Sequence, residues 1–254
     1  MLLTIDIGNT QTVIGVWRGD ELQHMWRVAT NRTTTSDELR VKLVPLLELA
    51  GIEFSQIEKA CVASVVPQLF YAWRVAIRDA AGIEAIPCTP ETAGELFKSN
   101  YPNKHEIGAD RVADAVAAVA LYGAPAVVVD FGTATNIEVI DADGCFVGGI
   151  IAPGMQTSAQ AMFANATKLA ATELVAPPAP IGISTETAIQ SGIVLGEADR
   201  ADGLVRRIFA QLCYEATVIA TGGLAPLIAK HSSTIQHVNP ELTIEGLRLI
   251  AERN

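Results

Sequence analysis

The chain has 254 residues, half of them hydrophobic, so it can form one large globular domain or two small ones. Its formal net charge is −10 at pH 7, and its isoelectric point is about 4.9. This acidic balance argues against nucleic-acid binding, which needs a basic surface to displace counterions from phosphates.

The first half of the chain predicts a mixed order of strands and helices. Three apolar segments separated by turns predict strands at residues 2–5, 12–17 and 22–28, before any helix. A Ser-Asp-Glu start followed by a stripe of leucines predicts a helix at residues 36–49. The next predicted elements are a strand at 59–66, a helix at 68–81, a short strand at 84–86 and a helix at 112–122. This order is the layout of an RNase H-like unit.

The second half of the chain repeats this order. Strands are predicted at residues 126–129, 136–140 and 144–151, with an Asp-Ala-Asp-Gly turn before the third. The later predicted elements are helices at 157–168 and 185–213, a strand at 218–220, and helices at 224–230 and 242–252. The repetition favours two similar domains, residues 1–122 and 123–254, over one large domain.

A short motif occurs twice, about half the chain length apart. Its copies are Asp6-Ile7-Gly8-Asn9-Thr10 and Asp130-Phe131-Gly132-Thr133-Ala134-Thr135, each at the end of an apolar strand. The glycine lets backbone N–H groups approach phosphate oxygens, and the hydroxyl and amide side chains can donate to them. One copy alone is as readily an ordinary hairpin turn. Two copies predict that the two halves hold a polyphosphate and a cation between them.

Individual side chains of the first copy have predicted roles. Asn9, Thr10 and Thr12 are candidate donors to phosphate oxygens. Asp6 is a candidate ligand of magnesium, held through water because this ion keeps part of its hydration shell. These assignments predict phosphoryl transfer as the chemistry of the chain.

Cysteine and histidine usage predicts neither a metal site nor a disulfide framework. The four cysteines are far apart, form no Cys-x-x-Cys pair and lie in mostly apolar segments, so we expect buried thiols.

The N-terminus enters a strand without a basic region or cleavage site. The longest apolar stretch, residues 115–129, is shorter than the roughly 20 residues that a bilayer requires. We expect a soluble, cytoplasmic protein that binds no membrane.

The start of the helix at 112–122 carries an acidic and a basic side chain in Gly108-Ala109-Asp110-Arg111. An acid here commonly accepts hydrogen bonds from the unpaired N–H groups of the first helical turn. Asp110 is alternatively a general base for an alcohol that attacks a γ-phosphoryl group. Arg111 would then fix an anionic group of the substrate by a bidentate contact. The sequence leaves capping and catalysis open.

Two further glycine-containing segments admit more than one interpretation. Thr221-Gly222-Gly223 lies between an apolar strand and a helix, where a nucleotide could lie against the backbone. The segment from Gly148 to Gly154 ends another strand and permits close approach of a chain or a ligand. A simple strand-to-helix turn explains either segment equally well.

Taken together, these segments resemble one family, the type III pantothenate kinases of the acetate and sugar kinase/Hsp70/actin superfamily. The resemblance covers nearly the whole chain. It depends on the order and spacing of six segments, which are residues 6–10, 101–111, 130–135, 148–154, 185–192 and 221–223. It implies an α/β fold of two RNase H-like (actin-like ATPase) domains, with mixed β-sheets flanked by helices.

The resemblance also implies an activity and partners. The activity is ATP-dependent phosphorylation of the primary hydroxyl of pantothenate to 4'-phosphopantothenate, the first step of coenzyme A biosynthesis. ATP is then a co-substrate, with Mg²⁺ and a monovalent cation, K⁺ or NH₄⁺, as further requirements. The implied assembly is a homodimer in the cytoplasm, with no nucleic acid or membrane partner.

The resemblance assigns roles residue by residue. The implied ATP contacts are Asp6, Ile7, Gly8, Asn9, Thr10, Gln11, Thr12, Val13 and Thr133. The implied pantothenate contacts are Tyr101, Gly108, Ala109, Asp110, Arg111 and Thr185, with Asp110 as the catalytic base. Asp130 is the implied ligand of the monovalent cation. Tyr101 is otherwise explained as a packed loop aromatic and Thr185 as a helix N-cap.

Several positions depart from the usual pattern of the family. Asn136 and Glu138 stand where the family usually has Thr and Asp, Lys104 stands where it has Pro, and Gln11 replaces a common Asn. Asn136 and Glu138 motivate an alternative, a catalytically weak or inactive member acting as a dimeric binding or regulatory protein. A second alternative is a phosphatase of the same superfamily that acts on polyphosphate.

Overall fold

The computed structural model describes residues 1–166 and 172–254. These residues form two compact units, one of Met1–Ala117 with Leu242–Asn254 and one of Ala118–Glu241. The division falls within helix α4 (Ala109–Tyr122). Each unit contains a mixed β-sheet and is described by itself below.

The sheet of the first unit has five strands in the order β3-β2-β1-β4-β5. β1, β2 and β3 are antiparallel, whereas β4 and β5 run parallel to β1. The strands are β1 (Leu2–Ile7), β2 (Gln11–Arg18), β3 (Glu21–Ala29), β4 (Lys59–Ser64) and β5 (Ile86–Pro87). Because neighbouring side chains of a strand alternate between faces, Leu3, Ile5 and Ile7 enter one core, and Asp6 lies on the opposite face.

Helices pack against both faces of this sheet. The helices of the first unit are α1 (Ser36–Leu49), α2 (Pro67–Ala81), α3 (Pro90–Ala93), the start of α4, and α9 (Leu242–Arg253). Leu39, Leu43 and Trp73 of α1 and α2 pack in the same core as the sheet. The predicted start of α1 is confirmed, because Thr35 and Glu38 form a reciprocal capping box. The short strand β6 (Lys98–Ser99) precedes α4.

Helix α9 supports the start of α4. It packs against β1 and β4, and its Gly246 lies so close to α4 that a Cβ there would overlap the Ala113 carbonyl oxygen. Thr243 Oγ1 of α9 donates to Asp114 Oδ1 of α4 at 2.7 Å. The C-terminal helix therefore holds the helix that carries Asp110 and Arg111.

The five strands of the second unit repeat the topology of the first sheet, with the order β9-β8-β7-β10-β11. β7, β8 and β9 are antiparallel, and β10 and β11 run parallel to β7. The strands are β7 (Ala126–Phe131), β8 (Ala134–Ile140), β9 (Cys145–Pro153), β10 (Thr217–Thr221) and β11 (His237–Val238). The predicted α/β fold with mixed sheets flanked by helices is confirmed.

One long helical stretch provides much of the second core. The helices are α5 (Met155–Asn165), α6 (Thr185–Gln190), α7 (Gly196–Leu212) and α8 (Ala225–Ile228). A π-helical segment, Ser191–Leu195, joins α6 to α7. Val194, Ala198 and Val205 from this stretch pack against Val129 and Phe131 of β7.

Several elements differ from the sequence prediction. The helix predicted at 157–168 is α5, and residues 167–168 lie outside the described residues. The strand predicted at 84–86 is β5, and β11 was missed because a two-residue strand has too short a pattern to recognise. Of the four cysteines, Cys213 is exposed, contrary to expectation, because it follows the end of α7.

The predicted domain limits, 1–122 and 123–254, stay a prediction. The compact units divide five residues earlier, at Ala117 and Ala118. The last helix, which the prediction gave to the second domain, lies with the first unit. Its apolar stripe did not indicate which sheet it covers, because the same stripe suits any apolar partner.

A buried carboxylate fixes the segment between α8 and β11. Asp202 of α7 accepts hydrogen bonds from the hydroxyls of Ser232, Ser233 and Thr234 at 2.5, 2.5 and 2.7 Å. It also accepts from the backbone N–H groups of Ser233 and Thr234 at 2.7 and 3.2 Å. Burial alone would raise the pKa of Asp202, but these hydrogen bonds lower it from 3.8 to about 2.

We expect an Asp202→Asn variant to lose stability in a pH-dependent way. A carboxyl group whose pKa is lowered on folding stabilises the protein above its unfolded pKa and loses this contribution as the pH falls through its folded pKa. The lowered pKa of Asp202 adds about 2 kcal/mol to the free energy of unfolding at pH 7 and about half of that at pH 3. Urea unfolding of both proteins at the two pH values measures the difference. An equal loss at both values would contradict the role of the ionised carboxylate.

Candidate active site

The first copy of the repeated motif forms a tight turn between β1 and β2, called here the first turn, residues 8–11. Gly8 N donates to Gln11 O at 3.0 Å, and a Cβ on Gly8 would lie 2.9 Å from that oxygen. Asn9, Thr10 and Gln11 are exposed, whereas Thr12 at the start of β2 is buried. The polar side chains predicted to contact phosphate at residues 9–11 therefore face solvent, and Thr12 instead supports the turn.

Residues that follow β3 hold the first turn in place. Thr12 Oγ1 and Thr30 Oγ1 share a hydrogen bond of 2.9 Å, and Thr30 N donates to Thr10 O at 2.9 Å. Arg32 Nη2 donates to Asn9 Oδ1 at 2.8 Å. The turn thus carries a guanidinium group that the local motif gave no reason to expect. A cation at this place suits a polyphosphate ligand.

The second copy forms a similar turn between β7 and β8, called here the second turn, residues 132–134. Gly132 N donates to Ala134 O at 3.0 Å, and Thr133 is exposed. The Thr133 carbonyl accepts from Gly154 N at 3.1 Å and from Thr157 Oγ1 at 2.6 Å. A Cβ on Gly154 would overlap Gly132 O and lie 2.6 Å from Thr133 O. The glycine of the predicted 148–154 segment therefore permits a close approach of backbone to this turn.

Three oxygen-bearing side chains form a row across the second sheet. Asp130 of β7 is in register with Asn136 of β8 and with Thr221 of β10. Residues in register across neighbouring strands point to the same face, so the three side chains are neighbours. Thr221 is 1% exposed, and within residues 1–166 and 172–254 its Oγ1 has no hydrogen-bond partner. The row offers the oxygen ligands that hard cations take.

Gly222 places backbone against the same carboxylate. It has a φ of +88°, which residues with a Cβ rarely adopt. A Cβ there would overlap Asp130 Oδ1 and would lie 2.6 Å from Phe131 O. The packing of Gly222 on Asp130, rather than the start of the next helix, therefore accounts for the glycine after β10.

Asp110 is the second residue of α4, and its carboxylate folds back over Gly108. Its Oδ1 accepts from Arg111 N at 2.8 Å, and a Cβ on Gly108 would lie 2.5 Å from that oxygen. Burial raises the pKa of Asp110, and the N–H group and positive charge of Arg111 oppose this effect. The hydrogen bond is of the kind that the capping interpretation predicts. The raised pKa is typical of a functional carboxylate.

A buried thiol connects Asp110 with Asp6 in the first unit. Cys88 Sγ donates to Ala109 O at 3.2 Å, beside the predicted base. Burial raises the pKa of Cys88 well above its ordinary value, as do Cys61 and the nearby carboxylates of Asp6, Asp110 and Asp114. Cys88 N also donates to Val62 O of β4 at 2.8 Å, and in the neighbouring strand β1 Asp6 is in register with Ala63 of β4. Cys88 and β4 thus link the start of α4 to the end of β1, although Asp6 and Asp110 are 104 positions apart in the sequence (110 − 6).

The other predicted substrate residues differ in exposure. Arg111 is 9% exposed, and Tyr101 is half-buried with its N–H donating to Ser99 Oγ at 3.0 Å. Thr185 is exposed and is the first residue of α6. The alternative explanation of Thr185 as a helix N-cap is wrong, because Ser184 is the cap and accepts from Thr187 N at 3.1 Å.

Comparison with known proteins identifies the family. The family model described as type III pantothenate kinase matches residues 2–207. The chain belongs to the type III pantothenate kinase family. It is 46% identical over 254 residues to a type III pantothenate kinase of Roseiflexus sp. (strain RS-1), covering 100% of this chain and 99% of the relative. It is 43% identical over 254 residues to one of Exiguobacterium sp. (strain ATCC BAA-1283 / AT1b), with the same two coverages.

Solved structures support the fold at lower similarity. The ethanolamine utilization protein EutJ from Carboxydothermus hydrogenoformans has a TM-score of 0.54 and 15% identity, covering 98% of this chain and 89% of that one. The inorganic polyphosphate/ATP-glucomannokinase from Arthrobacter sp. strain KM has a TM-score of 0.50 and 14% identity, covering 99% and 96%. At these identities the likeness concerns the fold. The predictions of the family, the fold and a kinase are confirmed.

Two of the departures from the usual pattern of type III pantothenate kinases, Asn136 and Glu138, lie in the second sheet. Asn136 is half-buried beside Asp130, and Glu138, two residues further along β8 on the same face, is fully buried. Four supporting residues were missed by the sequence analysis, because each joins its turn or row from a distant element without a local pattern. They are Arg32, Glu197, Arg200 and Thr221. Of these, Thr221 had been noted only as part of a glycine turn, without a role for its own side chain.

No helix in the described parts of the chain is both long enough and apolar enough to serve as a membrane span. Within the same residues, no group of three or more His, Cys, Asp or Glu side chains is arranged to hold a metal ion.

Proposed function

We propose that Asp110 is the general base that activates the primary hydroxyl of pantothenate in this kinase. The proton of the hydroxyl moves to the Asp110 carboxylate as its oxygen bonds to the γ-phosphorus of ATP. The bond from that phosphorus to the β,γ-bridging oxygen breaks, and ADP leaves. The observation that carries the proposal is the position of Asp110, partly buried with a raised pKa and adjacent to a nearly buried arginine.

The turns are assigned to ATP. In the first turn, backbone N–H groups and the exposed side chains of Asn9, Thr10 and Gln11 contact phosphate oxygens, and Arg32 adds a positive charge. Thr133 of the second turn contributes an exposed hydroxyl. Supporting roles, rather than direct contacts, are assigned to Ile7 and Thr12, because both side chains are buried.

Two ions are further requirements in this proposal. Magnesium, when bound, neutralises charge on the phosphates, and Asp6 is the residue that would hold it, through water. Asp130 would hold the monovalent cation, with Asn136 and Thr221 as its neighbours. The buried Thr221 oxygen, which lacks a hydrogen-bond partner among the residues described, and the close backbone of Gly222 are the features that fit such an ion.

A coupled ADP-release assay tests the activity. The purified chain is assayed with ATP, magnesium and potassium, with and without pantothenate. We expect ADP release that depends on pantothenate. Release without any acceptor alcohol would favour the phosphatase. Binding of both substrates without ADP release would favour the dimeric binding protein. Light scattering and cell fractionation test the homodimer and the cytoplasmic location, which are proposed from the family alone.

We expect Arg111→Ala to raise the KM for pantothenate roughly 10- to 100-fold, because a charge-assisted contact to its carboxylate is lost. The KM for ATP should change little. Arg111→Lys should recover part of the loss, since it restores the charge but not the bidentate geometry. Arg18→Ala, at an exposed arginine, is the control. An unchanged KM in Arg111→Ala would show that the carboxylate is bound elsewhere.

A further inference from the structure

A buried acidic side chain of α7 is hydrogen-bonded to the residue that follows the second turn. Glu197 is 5% exposed, and its Oε1 accepts from Thr135 Oγ1 at 2.5 Å. Its Oε2 accepts from Arg200 Nη2 at 2.5 Å, and the same Nη2 donates to Pro153 O at 2.8 Å. The set of Thr135, Glu197, Arg200 and Pro153 is called here the Glu197 clamp.

The clamp holds both flanks of the second turn. Thr135 follows the turn directly in β8, and Pro153 ends β9 beside Gly154, whose N–H donates to the carbonyl of Thr133. The two strands are in register at this place, since Ala134 pairs with Pro153. Glu197 thus reaches the turn from one side through Thr135 and from the other through Arg200.

The helix is built so that Glu197 faces inward. The π-helical segment Ser191–Leu195 lies immediately before α7. Because its i→i+5 turn holds one more residue than an α-helical turn, it changes which side chains of the following helix face the core. The residues Val194, Glu197, Ala198 and Ala201 continue one buried face across this junction. Glu197 therefore occupies a core position that would ordinarily hold an apolar side chain.

Stability alone does not account for a carboxylate at this position. A buried charge is costly to desolvate, and a well-packed apolar replacement is often equally or more stabilising. The hydrogen bonds of Glu197 are directed at the second turn and not distributed through the core. Charge-assisted hydrogen bonds are short and directional, so they fix geometry more strongly than apolar packing does.

We propose that Glu197 is a positioning residue for nucleotide binding. It acts through Thr135 and through Arg200 and Pro153, and it holds the second turn in the conformation that receives the phosphates of ATP. This inference rests on the proposed function of the second turn. In this proposal Glu197 makes no contact with either substrate, and Thr135 Oγ1 donates its hydrogen bond to Glu197.

Two substitutions test separately the two connections of the Glu197 clamp, one through Thr135 and one through Arg200. Glu197→Gln keeps an acceptor for Thr135 but removes the ion pair with Arg200, whereas Thr135→Val removes only the hydroxyl. Asp202→Asn is the matched control, because Asp202 is a buried carboxylate of the same helix whose hydrogen bonds go to residues 232–234. The measurements are calorimetric binding of a non-hydrolysable ATP analogue, the KM values for ATP and pantothenate, and urea unfolding.

We expect either clamp substitution to weaken binding of the analogue about tenfold and to raise the KM for ATP similarly. The KM for pantothenate should stay within about twofold of the wild-type value in both variants. The double variant should bind the analogue little worse than either single variant, because both changes break one network. Asp202→Asn should lose stability but bind the analogue normally.

The proposal is overturned if Glu197→Gln and Thr135→Val lose stability as Asp202→Asn does but bind the analogue like the wild type. If Glu197→Gln fails to fold, Thr135→Val decides alone. A wild-type chain that binds the analogue but releases no pantothenate-dependent ADP refutes the proposed function instead. The calorimetric comparison then still decides whether Glu197 positions the nucleotide.

Discussion

Asp110→Asn should lower kcat roughly 100- to 10,000-fold while the protein stays folded and binds ATP. Asparagine has nearly the shape of aspartate and can still accept the hydrogen bond from Arg111 N through its amide oxygen. It cannot accept the proton of the attacking hydroxyl. The variant therefore separates the two interpretations of this residue, because a helix-capping carboxylate could be replaced with little effect on the rate.

The pH profile gives an independent check on the same residue. The base is active when ionised, so kcat/KM should fall as the pH drops through the pKa of Asp110. Because burial raises that pKa, the fall should begin at a higher pH than for an ordinary aspartate. Glu106→Gln, at an exposed carboxylate shortly before α4, should leave the profile unchanged. Near-normal turnover in Asp110→Asn would refute the assignment of the base.

Gly222→Ala should lower the activity on the order of 100-fold, since a small displacement of a catalytic element suffices for such a loss. The added Cβ would overlap Asp130 Oδ1 and crowd the Phe131 carbonyl, so the carboxylate or the strand end must move. The φ of +88° adds backbone strain. We expect the unfolding free energy to fall by about 2 kcal/mol.

The neighbouring glycine provides the control for this experiment. A Cβ on Gly223 would have nothing within 4 Å of it, and its φ is not in the left-handed region. Gly223→Ala should therefore resemble the wild type. Steady-state rates measured over a range of potassium concentrations should show a weaker dependence in Gly222→Ala than in Gly223→Ala. If both variants behaved alike, the packing of Gly222 on Asp130 would not matter for function.

The sequence predicted the parts of the site that lie within one short segment. The two turns were recognisable because each combines a strand, a carboxylate and a glycine within a few residues. Asp110 and Arg111 were recognisable because they begin a helix after Gly108. The motif did not determine which side chain of a segment faces solvent. Thr12 was predicted as a phosphate donor, but its side chain is buried and bonded to Thr30.

The residues that support the site could not be predicted in the same way. Arg32 reaches Asn9 from the end of β3, and Glu197 reaches Thr135 from α7. In the sequence, the helix that carries Glu197 shows only an apolar stripe. The π-helical segment before it, which determines that the Glu197 side chain points into the core, has no simple sequence pattern. Thr221 was seen as part of a glycine turn, but its place beside Asp130 depends on the register of two strands.

By itself, the sequence determined the order of the longer strands and helices, the two glycine turns and the family, because these depend on patterns within a few residues or on similarity along the chain. The tertiary structure alone decided which distant side chains meet. It placed α9 with the first unit, linked the start of α4 to β4 beside β1 through Cys88, and set Glu197 against Thr135. The physical reason is that strand register and helix packing arise from many weak contacts across the chain, and no short segment encodes them.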